Sequence, residues 1–292
     1  MRKELADQLV AASNMPGSGL AQAALVIARI EYPKLDSASY LERLDAMGAA
    51  GRRAIDRRID ETGDSSRLSC ITGFNQYLFD DQHFVGNRDR YEDPRNSCLN
   101  EVLDRRTGIP ITLALVYIEV GRRAGLRVDG VNFPGHFLVR LPEDDGDDTA
   151  GVILDPFHGG ARLSEQDCRR LLRKHVGSEV AFSRSLLTPP TRSEIIVRML
   201  LNLKRTYVHM HSLPQARDVT ELLLAVTPSA LSELRDHGLL ASHLNDMTTA
   251  LRDLQTYLQL TGMGEISREM RNERKEIWEQ VRTLRRRIAG LN

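Results

Sequence analysis

A chain of 292 residues with 40 basic and 40 acidic side chains carries no net formal charge, so it has no bulk attraction to nucleic acid or to an anionic membrane surface. Its three cysteines, Cys70, Cys98 and Cys168, are odd in number, widely spaced and without a CxxC pair, which indicates neither a disulfide framework nor a structural zinc site. An apolar content of 41% can bury a sizeable core, in one large domain or two ordinary ones.

The first residues, MRKELADQLVAASNMPGSG, lack a continuous apolar run and carry Glu4 and Asp7, a poor signal peptide. The longest apolar run, 111–118, is too short to span a bilayer. A cytoplasmic location without membrane association is expected. Residues 20–60 read as two helices separated by the Pro33–Asp36 turn, with Leu41, Leu44, Met47 and Ala54 on one face of the second. A further amphipathic segment carries Leu68, Ile71, Phe74, Leu78 and Phe79, and a polar loop, GNRDRYEDPRN, follows.

From Asn96 to Gly160 the pattern changes. A short helix is expected to start at Asn96 or Ser97, either of which can cap a first turn. A second is expected from Pro110, because proline fits the first helical position. The run Ile111–Ala124 is apolar almost all round, as in a buried helix. Short β-type runs come next, at 128–133, 136–141 and 152–154. The acidic loop between them, with Asp144, Asp145, Asp147 and Asp148 around Gly146, lacks the alternating ligands of a calcium loop and reads as a hairpin tip. Beyond Leu163 the chain is helical again. A proline-bearing joint, SRSLLTPPTRSE, is the best boundary, and Thr191 with Glu194 forms a capping box at its end. The remainder reads as antiparallel helices with breaks at Pro214, Pro228, Gly238 and Gly262–Gly264, and its last helix ends in a solvated cationic run, Arg285–Arg287.

The blocks LFDDQHFVGNRDRYEDPRNSCLNEVLDRRTGIPITLALVYIEVGRRAGL, GVNFPGHFLVR and ILDPFHGG resemble the bacterial SirB-type (invasion-regulator) family. The resemblance covers roughly residues 20 to 290 and implies an α+β fold. A transglutaminase-like, papain-type core of helices on a small antiparallel sheet would occupy 1–187, and an all-α tetratricopeptide-like region 188–292. Such helical repeats commonly present concave binding faces, so a protein partner is expected at the tail or the cleft.

The candidate catalytic set is Cys98, His136 and Asp155. A thiolate needs a depressed pKa, which a helix N-terminus and a nearby imidazolium supply, and Cys98 is expected at the second or third residue of a capped helix. His136 follows Pro134–Gly135 at the start of a strand, and Asp155 ends a strand where it can orient the imidazole. The resemblance, however, implies a nucleophile at the start of the buried helix. Pro110 stands there, and its neighbours Ile109, Ile111 and Thr112 offer at best one hydroxyl. Two functions follow: a non-catalytic binding or regulatory scaffold with a vestigial cleft, or a papain-like cysteine hydrolase or acyl transferase using the triad. No cofactor and no metal are required, although Asp155, His158 and His136 are a conceivable facial ligand set. Cys70 and Cys168 read as packing groups. His209 and His211, two apart on a helix, do not share a face.

Overall fold

The computed structural model describes residues 2–14, 19–143, 151–177, 179–262 and 267–289. An α+β core is followed by an all-helical region, and the chain divides into two compact units. One is Ala11–Met199, and the other is Met1–Val10 with Leu200–Asn292. The joint expected at 187/188 lies inside the first unit. Leu187 is buried there with Val131, Phe133 and Leu172, and beyond it Arg198 donates to the Asn132 side chain at 3.0 Å.

Local sequence sets the first elements. After α1 (Arg2–Asn14), α2 (Gly19–Ala28) is buried on every side but at Gln22, as its apolar composition requires. The helix α3 (Ser37–Thr62) begins at Asp36, whose carboxylate accepts from the Ala38 and Ser39 amides, and ends on left-handed Gly63. Ser66 caps α4 (Arg67–Asn75), which runs on into one turn of π-helix, Gln76–Asp81. The polar sequence of the next segment predicts a loop, yet β1 (Val85–Gly86) pairs in parallel with β2 (Thr107–Gly108). A 3-10 turn (Pro94–Ser97) and α5 (Leu99–Arg105) lie between them. Two-residue strands have no alternation for a sequence to display.

The buried helix forms as expected. In α6 (Pro110–Arg123) every residue from Pro110 to Gly121 is buried. Its one acid, Glu119, is neutralised by Arg123 at 2.5 Å, and the same guanidinium holds Asp45 at 2.6 Å. A buried charge is tolerable only when paired in this way. Beside α6 stands an antiparallel meander of β3 (Asp129–Val131), β4 (Leu138–Pro142), β5 (Gly151–Asp155) and β6 (Ala161–Leu163), paired in that order. Val139 lies opposite Leu154 and Asp155 opposite Ala161. The acidic tip, Asp144–Asp148, falls outside the described residues. Helix α7 (Glu165–Val176), opened by the Ser164–Asp167 capping box, covers one face of the sheet with Cys168 and Leu172. Arg140 lies on β4. It shares the covered face with Leu138, is 1% exposed, and lies 3.5 Å from its cross-strand neighbour Asp129.

In the second unit, α8 (Arg192–His209) enters from the first, and α9 (Leu213–Val226), α10 (Leu231–His243), α11 (Met247–Leu260) and α12 (Arg268–Ala289) pack in succession. Ala241, Leu254, Tyr257, Ile277, Val281 and Leu284 form its core. Gly238, read as a break, lies inside α10. There α11 comes so close that a Cβ would meet Leu254 at 2.8 Å, so the glycine serves packing and not termination. Among the described residues no helix is long and apolar enough to cross a membrane.

Candidate functional site

The pleat and register of the meander bring two of the three candidate side chains together. Because β4 and β5 run antiparallel, the end of β5 at Asp155 lies beside the start of β4. His136 does not open that strand but sits in the turn before it, where its amide donates to the Phe133 carbonyl at 3.0 Å. Pro134 and left-handed Gly135 (φ +72°) give this turn the type II signature. The turn sends the imidazole back to Asp155, with His136 Nε2 3.0 Å from Asp155 Oδ2. His136 and Asp155 are both buried.

Asp155 also caps the short 3-10 turn Pro156–His158, accepting the Phe157 amide on Oδ1 at 3.0 Å. The same turn delivers His158, whose Nδ1 lies 2.7 Å from Asp155 Oδ2. Burial alone would raise the Asp155 pKa. The hydrogen bonds and charges of His136 and His158 outweigh it and hold the carboxyl below the usual carboxylate range. The last turn of α7 supplies His175, whose ring stacks on His136 with centroids 5.6 Å apart, while Phe157 meets His136 in a T-shaped contact at 6.0 Å. Burial, then the neighbouring His136, lowers the His175 pKa. The turn after His158 is anchored from two helices: Asn75 donates to the Gly160 carbonyl at 3.0 Å, and Tyr117 donates to Asn75 at 2.9 Å.

Cys98 is elsewhere. It is the N-cap residue of α5 and not its second or third member, because the 3-10 turn takes up the residues before it. Its side chain makes no capping bond; Sγ lies 3.7 Å from the Pro94 carbonyl, and the residue is 1% exposed. Burial, reinforced by Glu31 and Glu101, pushes the thiol pKa up to about 12. The thiol is therefore protonated near neutral pH and makes no hydrogen bond to His136. Pro110 leaves the start of α6 without a nucleophile. The Thr112 hydroxyl is already engaged, accepting from the Ile109 amide at 3.1 Å and donating to the Asn96 carbonyl at 2.7 Å. Among the described residues no cysteine, serine or threonine side chain bonds to His136. Asn96 is not a cap. Its amide nitrogen donates to the Arg90 and Tyr91 carbonyls, and its oxygen accepts from Asn87 and Arg105.

The histidine cluster thus contains His136, Asp155, His158 and His175, of which the sequence reading missed His175. Position 175 lies within an amphipathic, strongly charged helix, and no spacing ties it to the turn at 135. The compact glycine at that turn is the only local hint that another chain segment comes close.

Residues 38–201 match the profile of a transglutaminase-like superfamily family, and residues 203–275 match a tetratricopeptide repeat. A UPF0162 protein of Xylella fastidiosa is 41% identical over 82% of this chain and 83% of its own length. A UPF0162 protein of Pseudomonas aeruginosa is 34% identical over 64% of each chain. F-box only protein 21 of Homo sapiens is 31% identical over 60% of this chain, a stretch that spans 28% of that protein.

Proposed function

Since the chain belongs to this transglutaminase-like family and carries tetratricopeptide repeats behind the core, we propose that it is a non-catalytic binding or regulatory scaffold of the cytoplasm. In this reading it is of SirB type, with a vestigial papain-like cleft and a protein partner held by the helical unit. The observation that supports the reading is that the thiol and the base do not meet in a hydrogen bond. His136 keeps its orienting carboxylate, but Cys98 is protonated, buried and bonded to Pro94. A base without a nucleophile in reach cannot run acyl transfer. Tetratricopeptide repeats generally mediate protein–protein contacts, which supports a partner as the business of the tail.

The second reading, a cysteine hydrolase or acyl transferase using Cys98, His136 and Asp155, draws on the His136–Asp155 bond. Quantitative affinity capture from native cells separates the two, comparing the full chain with Cys98→Ala and His136→Ala. A scaffold enriches the same partner with all three. Loss of a modified product, or of a covalent adduct, specifically in Cys98→Ala would establish the enzyme and refute the scaffold.

A further inference from the structure

The role of the histidine cluster does not depend on the partner-binding reading. Three potential ligand atoms, His136 Nε2, Asp155 Oδ2 and His158 Nδ1, lie within 4.8 Å of one another. They come from the turn before β4, the end of β5 and the 3-10 turn after it. The Phe157 amide occupies the other carboxylate oxygen, which fixes the direction in which Oδ2 is presented. Among the described residues no arginine or lysine bonds to Asp155, and its Oδ2 meets two imidazoles. We propose that His136, Asp155 and His158 form a binding site for a divalent transition ion of the zinc class.

Two imidazoles and one carboxylate are a donor set that suits zinc and its borderline neighbours and leaves coordination positions open. In a tetrahedral site with bonds of about 2.0–2.1 Å the ligand atoms stand about 3.3 Å apart. The pairs at His136 and His158 now measure 3.0 and 2.7 Å from Oδ2, so the carboxylate contacts have to open by a few tenths of an ångström. The side chain that moves is His158, which is on a short turn and 41% exposed, whereas His136 and Asp155 are held at 4% and 3%. An ion reaches the site from the His158 side. To ligate, each imidazole presents the lone pair of the named nitrogen and carries its proton on the other ring nitrogen. His175, stacked on His136, backs the ligand ring and limits its rotation.

The test is a titration of the untagged full chain with Co2+, followed by visible absorption, and with Zn2+, followed by equilibrium dialysis. One ion per chain is expected, with d–d bands of a low-coordinate cobalt site and no thiolate charge-transfer band. His136 and Asp155 are buried, so the exposed His158 carries the comparison. His158→Ala should weaken binding at least about tenfold, and His243→Ala, at an exposed position remote in sequence on α10, should leave it unchanged. Absence of stoichiometric binding, equal binding by all three chains, or a cobalt–thiolate band would overturn the proposal. Such a result would leave the scaffold reading standing, because that rests on the position of Cys98.

Discussion

A methyl group at Gly135 would sit 2.4 Å from the His175 Cβ, on a backbone with φ +72°. Both the contact and the left-handed conformation oppose a side chain there, so Gly135→Ala should destabilise the core by about 2 kcal/mol or more. Denaturant unfolding measures it, and a loss under about 0.5 kcal/mol would mean that α7 does not approach the turn closely. His136 and Asp155 could be read from the sequence because each borders a strand, and adjacent antiparallel strands bring such borders together. Cys98 could not be read correctly. Whether a cysteine at a helix start faces water or a carbonyl depends on the turn before it, and the 3-10 geometry of Pro94–Ser97 was not visible in the residue types. His175 depends on the packing of α7 against the sheet, a long-range contact that no local pattern encodes.

At the scale of elements, α6 is the segment whose properties follow most directly from its residues. Its apolar circumference forces burial, and Leu115 and Ile118 are each 1% exposed. Truncating either to Ala should cost on the order of 2–5 kcal/mol, from lost transfer energy and the cavity left behind. A loss below about 1 kcal/mol at both positions would place the helix on a surface. The small parallel pair β1–β2 and the strand β6 were missed, because two- and three-residue strands are fixed by their partners and carry no periodicity of their own. Gly238 was misread for the related reason that a helix interior can require glycine for a neighbour's sake, and a single sequence shows the glycine but not the neighbour.

For the whole molecule, the helical repeats were legible as helices. The proline-bearing joint looked like a linker, yet Leu187 on one side of it and Arg198 on the other are tied to the same sheet-bearing unit. The helical unit carries its own acid sensitivity. On α11, Asp253 accepts from His237 of α10 at 2.6 Å and from Arg252 of its own helix at 2.8 Å. Burial pushes the Asp253 pKa up, but those two partners outweigh it, and the folded carboxyl titrates below its ordinary value. A lowered folded pKa contributes stability that is present above the unfolded value, about 3.9, and lost as pH falls through the folded one. The gap in Tm between the wild type and Asp253→Asn should therefore narrow as pH falls from about 5 to about 3. A gap that stays constant would show that the pair does not titrate with folding.

The core keeps an oriented histidine while its thiol is buried, protonated and bonded to a backbone carbonyl. The pH dependence of Cys98 alkylation, followed by peptide mass spectrometry in the wild type and in His136→Ala, tests it most directly. The wild-type rate should stay slow through neutral pH, rise only in alkaline solution because burial raises the thiol pKa, and be the same in His136→Ala. A rate with an inflection below about 8 that disappears in His136→Ala would contradict the claim and place Cys98 in a working triad.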